Sequence, residues 1–141
     1  MIVLPFESAH LALLALQNAQ VYAGPEILQP EYGDALAAAG PCFTAQDGSE
    51  VVGCLGLIHQ GHGRALAWAL LSRDAGRAMV SMHRGVRQFL DSCGVRRVEA
   101  AVDCDHGPAL RWAHMLGFEV EGKMRAYTAD RRDAFLFARV R

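Results

Sequence analysis

Two nearly uninterrupted apolar runs, residues 51–59 and 65–71, lie close together in the middle of the chain. A strand that is apolar at almost every position must be covered on both faces, as interior strands of a helix-flanked sheet are. Between residues 76 and 93 the apolar spacing changes to steps of three and four residues, the period of an amphipathic helix. The middle of the chain therefore predicts an α/β fold with helices on both faces of a sheet.

The remaining patterns extend this prediction to a sheet of about six to seven strands. Ser8 is placed to cap the first helix, and Asp47-Gly48 is a hairpin signal between two strands. The predicted strands are residues 1–4, 42–45, 51–59, 65–71, 95–102, 118–128 and 134–140, and the predicted helices are residues 9–20, 31–39, 76–93 and 108–116.

Composition and charge limit the classes of function. The 141 residues carry 52% hydrophobic and 21% charged side chains, which fits one globular domain over residues 1–141. A net charge of −1 argues against a general nucleic-acid binder, and no apolar run approaches the ~20 residues that cross a bilayer. Cys42, Cys54, Cys93 and Cys104 form no CxxC pair, so reduced thiols and a cytoplasmic location are expected.

The hexad Arg73-Asp74-Ala75-Gly76-Arg77-Ala78 lies where an apolar strand leads into the longest amphipathic helix. Backbone N–H groups at such a junction lack helical partners, and the positive end of the helix dipole lies behind them. This combination favours a phosphate, and Gly76 allows close approach of an anion. A plain strand-to-helix turn is the alternative interpretation.

Four motifs in order resemble the GCN5-related N-acetyltransferase (GNAT) superfamily. The pattern Arg73-x-x-Gly76-x-Ala78 resembles its pyrophosphate loop, (Gln/Arg)-x-x-Gly-x-(Gly/Ala). Residues 46–53 resemble its hairpin with a Val-Gly strand entry, residues 109–118 its helix ending in Leu-Gly-Phe, and residues 121–127 the strand that follows. The resemblance covers residues 42–140 well and the first 40 loosely. It implies the GNAT-like fold, a mixed sheet splayed in the middle.

The resemblance also implies an acetyl-coenzyme A site in a wedge between the strand before the hexad and the next parallel strand. Backbone groups of the first strand would pair with pantetheine, and N–H groups of Gly76 to Ala78 would hold the pyrophosphate. Arg77 could reach the 3′-phosphate or belong to a solvated helix face. The residues assigned to the coenzyme are Trp68, Ala69, Leu70, Arg73, Gly76, Arg77, Ala78 and His106.

The catalytic acid and base are where this chain departs from the family. Ala113 stands where members often have the Tyr that protonates the leaving thiolate, and His106 stands where a typical member has Asn. Proton acceptors near the open end of the wedge are Asp103, Asp105 and His106. Exposed helix-capping residues are the alternative for Asp105 and His106.

Two further residues complete the catalytic candidates. Glu99 would serve if its side chain faces the wedge, and Tyr127 would line the acceptor site or supply the missing acid. An ordinary strand aromatic is the alternative for Tyr127, and Arg131-Arg132-Asp133 is interpreted as a turn. His59 and His62 have no third ligand at useful spacing, so no metal is expected.

The function predicted from the resemblance is direct transfer of an acetyl group from acetyl-coenzyme A to a primary amine. The alternative is a catalytically degenerate protein with a binding or structural role, because the chain also loosely resembles acetyltransferase-like proteins of bacteriophages and prophages, some of them virion components. A doubly wound nucleotide binder fits poorly with the antiparallel pair at the end. The sequence leaves open the identity of the amine and whether the chain forms a homodimer.

Overall fold

The structure is a computed structural model, and it describes residues 1–15, 26 and 28–141. The strands are β1 (Ile2–Pro5), β2 (Cys42–Asp47), β3 (Glu50–Gly61), β4 (Arg64–Leu71), β5 (Arg97–Asp103), β6 (Glu119–Met124) and β7 (Ala134–Val140). The α-helices are α1 (Pro30–Ala39), α2 (Met79–Ser92) and α3 (Gly107–Met115), and two 3-10 segments cover Ser8–Leu13 and Ala75–Ala78. None of these helices has the length and apolarity that would carry it across a bilayer.

The seven strands of the described residues form one mixed sheet in the order β1-β2-β3-β4-β5-β7-β6. Every neighbouring pair is antiparallel except β4 and β5, which run parallel. The hairpin between β2 and β3 closes with Asp47 opposite Glu50, and Gly48 adopts a φ of 60°, which favours glycine. The predicted α/β class and mixed sheet are confirmed.

The parallel pair β4–β5 is in register over only three residues of each strand. Arg64 to Leu66 lie opposite Arg97 to Glu99, and the pairing stops there. Beyond this point β4 remains paired with β3 up to Leu71, and β5 remains paired with β7 up to Asp103. Each strand stays paired with its antiparallel neighbour and separates from its parallel one. A gap therefore opens between β4 and β5 towards their carboxyl ends. The predicted splay in the middle of the sheet is confirmed.

Alternate residues of β4 pack against different helices. Trp68 and Leu70 belong to a cluster with Leu36 of α1. Leu71 belongs to a cluster with Met82 of α2. Since side chains alternate between the faces of a strand, α1 and α2 cover opposite faces of the sheet. We call these the α1 face and the α2 face.

Helix α3 lies beside α2 on the α2 face. The indole N–H of Trp112 donates a hydrogen bond to Nδ1 of His83 at 3.2 Å. The Arg87 guanidinium donates to the Met115 carbonyl at 2.9 Å, near the end of α3. These contacts join the helix that follows β4 to the helix that follows β5, on either side of the gap.

The first predicted helix, residues 9–20, differs from what the structure shows. Its described part is the 3-10 segment Ser8–Leu13, after which Leu14 is extended, and residues 16–20 lie outside the described residues. Ser8 does not act as a cap, because its hydroxyl donates to the Pro30 carbonyl at 3.1 Å. The Ser8 hydroxyl therefore contacts the start of α1 and does not cap the helix that the sequence pattern predicted.

The strand predicted at residues 118–128 is also shorter than expected. Strand β6 ends at Met124, so Tyr127 lies in the loop before β7 and not in a strand. Within the loop, Ala126 has a φ of 50°, and its N–H donates to the Asp133 carboxylate at 2.8 Å. Asp133 thus closes the loop by binding a backbone group that a longer strand would have placed in the sheet.

The buried core predicts a large loss of stability when Phe137 is truncated. Phe137 is fully buried, and its ring meets that of His114 edge-on at 5.2 Å between centroids. Phe137→Ala is expected to lower the free energy of unfolding by about 3–5 kcal/mol, measured by urea denaturation. Val120→Ala, on the exposed edge strand β6, is the control and should change it by less than about 0.5 kcal/mol. Equal losses of unfolding free energy in Phe137→Ala and Val120→Ala would show that Phe137 is not part of a buried core.

Candidate functional site

A cavity of about 760 Å³ includes the gap between β4 and β5 and extends along β1, β2 and β3. Leu66 to Leu71 of β4 line one side of it, and Ala100 to Asp103 of β5 line the other. Phe89 of α2 contributes from one face of the sheet, and Tyr32 of α1 contributes from the other. Side chains from both faces of the sheet therefore line the cavity.

The hydrogen-bond ladder shows which backbone groups of β4 belong to β3. The Ser72 N–H donates to the Val52 carbonyl at 2.9 Å, so the backbone groups of Ser72 point towards β3. Because this direction alternates along a strand, the backbone groups of Leu70 and Trp68 also point towards β3. The backbone groups of these two residues therefore pair with β3 and face away from the gap, and their contact with pantetheine stays a prediction.

Ala69 has the opposite orientation. On this side of β4 the Arg97 N–H donates to the Gly63 carbonyl at 3.2 Å, so odd-numbered residues direct their backbone groups towards β5. Past the end of the parallel pairing, the same direction leads into the gap. Of the three β4 residues predicted to contact the coenzyme through the backbone, only Ala69 presents its N–H and C=O groups to the cavity side.

The first half of the hexad has its N–H groups bound within the protein. The Arg73 N–H donates to the Ala15 carbonyl at 2.7 Å. The Asp74 N–H donates to the Ser72 hydroxyl at 3.1 Å, and the Ala75 N–H donates to the Ser72 carbonyl at 3.1 Å. The run of unpartnered N–H groups predicted for this junction is thus shorter than expected.

The second half of the hexad is a 3-10 turn, Ala75–Ala78. In such a turn each N–H points to the carbonyl three residues earlier, so Arg77 and Ala78 direct theirs at Asp74 and Ala75. Gly76 is an exposed residue of this turn, and its N–H comes before those of Arg77 and Ala78. A Cβ atom added to Gly76 would meet nothing within 4 Å. Gly76 thus has the most accessible N–H of the turn, and the anion site over Gly76 to Ala78 stays a prediction.

Two arginine side chains accompany that N–H group. Arg73 and Arg77 are both exposed, on either side of Gly76 in the sequence. Guanidinium groups bind phosphate oxygens through charge-assisted hydrogen bonds. The hexad thus offers one backbone donor and two cations to an anion.

Asp103 lies at the end of β5, and only 8% of its side chain is exposed. Its Oδ1 accepts the Asp105 N–H at 2.8 Å. Its Oδ2 lies 2.7 Å from an Arg132 guanidinium nitrogen, in an ion pair whose N–H bonds are not aligned for a hydrogen bond. This carboxylate holds neighbouring groups in place, so it is poorly suited to take a proton from substrate.

His106 directly precedes α3 and lines the cavity. Its N–H donates to the Asp103 carbonyl at 3.1 Å, and its carbonyl accepts the Leu110 N–H at 3.0 Å, which fixes its backbone. Burial lowers the pKa of the imidazole from its usual 6.5; the Asp103 charge partly opposes this and Arg132 adds to it. His106 is therefore neutral at neutral pH and able to accept a proton.

The other catalytic candidates differ in whether they line the cavity. Asp105 is exposed and does not line the cavity. Glu99 does not line it either, because its carboxylate forms ion pairs with Arg64 and Arg97, each at 3.4 Å. Tyr127 does line the cavity, from the loop between β6 and β7, with 53% of its surface exposed. The structure brings together Asp103, His106 and Tyr127.

Sequence reasoning missed Arg132, which had been interpreted as part of a turn. Its guanidinium bridges Asp130 of its own loop, at 2.8 Å, and Asp103 of β5. It thereby holds the loop that carries Tyr127 against the end of β5. No local sequence signal marks this role, because the two ends of the ion pair come from separate parts of the chain.

The cysteines lie away from the cavity lining. All four are unpaired thiols, and Cys54 is fully buried. Burial raises the pKa of the Cys54 thiol to about 11, and it also raises the pKa values of Cys42 and Cys104. Among the described residues, no three His, Cys, Asp or Glu side chains come together as ligands for a metal ion.

Removing the Arg132 charge should raise the pKa of His106. In Arg132→Gln the imidazolium loses a repelling cation and keeps the Asp103 carboxylate. NMR titration should place the wild-type midpoint below 6.5 and the variant midpoint higher. Because the folded pKa is depressed, wild-type stability should decline as pH falls through 6.5, and less so in the variant. Arg131→Gln is the control, and an unchanged midpoint in Arg132→Gln would contradict this electrostatic account.

Comparison with known proteins gives matches in structure alone, since no family model and no curated sequence matches the chain. An IAA acetyltransferase from Bacillus cereus aligns over 99% of this chain and 99% of its own, with a TM-score of 0.74 and 13% identity. A spermidine N-acetyltransferase SpeG chimera from Vibrio cholerae and hSSAT aligns over 99% and 96%, with a TM-score of 0.71 and 16% identity.

An acetyltransferase of the GNAT family from Streptococcus pneumoniae aligns over 99% of this chain and 98% of its own, with a TM-score of 0.71 and 13% identity. These alignments span nearly the whole of each chain, and the low identity limits what they establish to the fold. The resemblance inferred from the four motifs is confirmed at that level. The chain has the fold of the GNAT acetyltransferases.

Proposed function

We propose that this chain is an N-acetyltransferase that moves an acetyl group from acetyl-coenzyme A directly to a primary amine, with residues 1–141 acting as one domain. The observation that carries the proposal is the three-residue pairing of β4 and β5, which opens onto a cavity of about 760 Å³. Neighbours with this fold that are named as N-acetyltransferases support the same chemistry.

The shape of the gap fits the coenzyme. Pantetheine would lie between β4 and β5, where the Ala69 backbone groups face the cavity side and could pair with its amides. The diphosphate would meet the Gly76 N–H and the guanidinium groups of Arg73 and Arg77. Gly76 leaves open space at the place where a side chain would otherwise stand. When bound, the coenzyme supplies an activated acetyl thioester.

His106 is the proposed proton acceptor. A primary amine is mostly protonated at neutral pH, so its proton must be removed before nitrogen can attack the thioester carbonyl. The His106 imidazole lines the cavity and is kept neutral by burial, which suits it to take that proton directly or through water. Asp105 and Glu99 lie outside the cavity lining and are not proposed as bases.

The leaving thiolate requires a proton, and Ala113 has no group to give. Ala113 is buried among the apolar side chains of α3 and β7. Tyr127 lines the cavity from the loop between β6 and β7, and we propose its hydroxyl as the acid. The Arg132–Asp103 ion pair would hold this loop in place during the reaction.

Direct transfer is favoured over a covalent acyl-enzyme. A cysteine nucleophile must ionise to react, and burial raises the pKa values of Cys42, Cys54 and Cys104. The Cys93 thiol donates to the Leu90 carbonyl in α2, and no cysteine lines the cavity. The reduced thiols are also compatible with the proposed cytoplasmic location.

A negative charge at position 76 should weaken coenzyme binding without unfolding the chain. Gly76→Glu places a carboxylate where the diphosphate is proposed to lie, and the side chain has room. We expect its Kd for acetyl-coenzyme A to be at least about tenfold weaker in calorimetry. Gly122→Glu is the matched control, because its Cβ also meets nothing within 4 Å and it lies on β6. Equal binding by both variants would place the diphosphate elsewhere.

Replacing His106 should slow the reaction far more than replacing Asp105. His106→Gln is expected to lower kcat/KM by roughly 100-fold or more and to remove the acidic limb of the pH–rate profile. Asp105→Asn, at the exposed position directly before His106, should change kcat/KM by less than about threefold. The reverse order would make Asp105 the base.

The second candidate function is a degenerate acetyltransferase fold with a binding or structural role. Ala113 and the internally bound N–H groups of Arg73 to Ala75 favour it. Coenzyme binding with no turnover on any amine would support this candidate over the enzyme.

A further inference from the structure

The cavity is almost free of charge. Among its described lining residues, the only Asp, Glu, Lys or Arg is Asp103, and Arg132 already neutralises that carboxylate. Residues 16–25 and 27 contain no Asp or Glu in the sequence. A polycation placed here would bring several ammonium groups into an apolar cavity with no free carboxylate, which is unfavourable.

The cavity also holds a buried hydrogen-bond donor without a partner. Nε1 of Trp68 is inaccessible to solvent and makes no hydrogen bond. It lies over Gly56, the residue opposite Trp68 on β3. A Cβ atom added to Gly56 would lie 2.9 Å from this nitrogen. A buried indole N–H usually finds a partner, and an unmet one costs free energy. Since Trp68 and Gly56 both line the cavity, a ligand oxygen could supply the missing acceptor.

The position of Trp68 indicates which substrate it meets. Its ring packs edge-on against Phe6, at 5.6 Å between centroids, on the α1 face of the sheet. The hexad that is proposed to hold the diphosphate leads into α2 on the opposite face. The two substrates would therefore enter the gap from opposite faces, and Trp68 lies on the side left to the acceptor.

We propose that the acceptor is a primary amine with an apolar body and a carbonyl oxygen, and that the Trp68 indole N–H donates a hydrogen bond to that oxygen. This inference rests on the proposed acetyltransferase function. In the reaction the amine nitrogen bonds to the acetyl carbon and the carbon–sulfur bond breaks. The proton lost by nitrogen balances the one gained by the thiolate, so no further reactant is needed.

The test compares three amines on the full chain with acetyl-coenzyme A. L-Leucinamide has an apolar body and a carbonyl, isopentylamine has a similar body without the carbonyl, and spermidine is a polycation. We expect kcat/KM for L-leucinamide to exceed that for spermidine by at least about tenfold. Trp68→Phe keeps an aromatic ring and removes the N–H, so it should raise KM for L-leucinamide by roughly three- to tenfold and leave isopentylamine within about twofold.

Trp112→Phe is the matched control, because Trp112 also lines the cavity but its N–H already has His83 as partner. It should leave the ratio of the two KM values unchanged. Equal losses on both amines in Trp68→Phe, or a preference for spermidine, would overturn this inference while the acetyltransferase function stands. Failure of wild type to bind acetyl-coenzyme A would overturn both.

Discussion

The end of the β4–β5 pairing after three residues determines where anything can bind in this structure. Each of these strands has an antiparallel neighbour on its other side, so parting from each other does not break the rest of the sheet. Beyond Leu66, alternate residues of β4 direct their backbone groups towards the gap, and Ala69 is one of them. Because helices pack on both faces of the sheet, side chains from both faces line the cavity.

The chemistry at this cavity depends on how charges are arranged at its edge. The Asp103–Arg132 ion pair joins the end of β5 to the loop that bears Tyr127, and both charges act on the neighbouring His106. Burial has the largest effect on the imidazole and keeps it neutral. The described lining therefore combines a mostly apolar surface with one imidazole, that of His106, and three hydroxyl groups, those of Tyr32, Ser92 and Tyr127, which suits the proposed acyl transfer to an amine.

The apolar runs and glycines predicted most of the fold, because the burial of a strand and the geometry of a turn each leave a pattern in a few neighbouring residues. They placed all the strands in order, and strand β7 (Ala134–Val140) has the predicted bounds. Features that depend on tertiary contacts were not predictable: the Ser8 hydroxyl binds Pro30, and the ion pairs of Glu99 hold it outside the cavity lining. The 3-10 turn at the hexad depends on where α2 begins, which the periodicity of the helix does not specify.

A crystal structure of the chain with acetyl-coenzyme A would test the central claim most directly. The account predicts pantetheine between β4 and β5, with its amides against Ala69, its diphosphate at Gly76, and the thioester on the side of His106. Density for the coenzyme outside the gap, or a gap that stays closed to it at saturating concentration, would contradict the account.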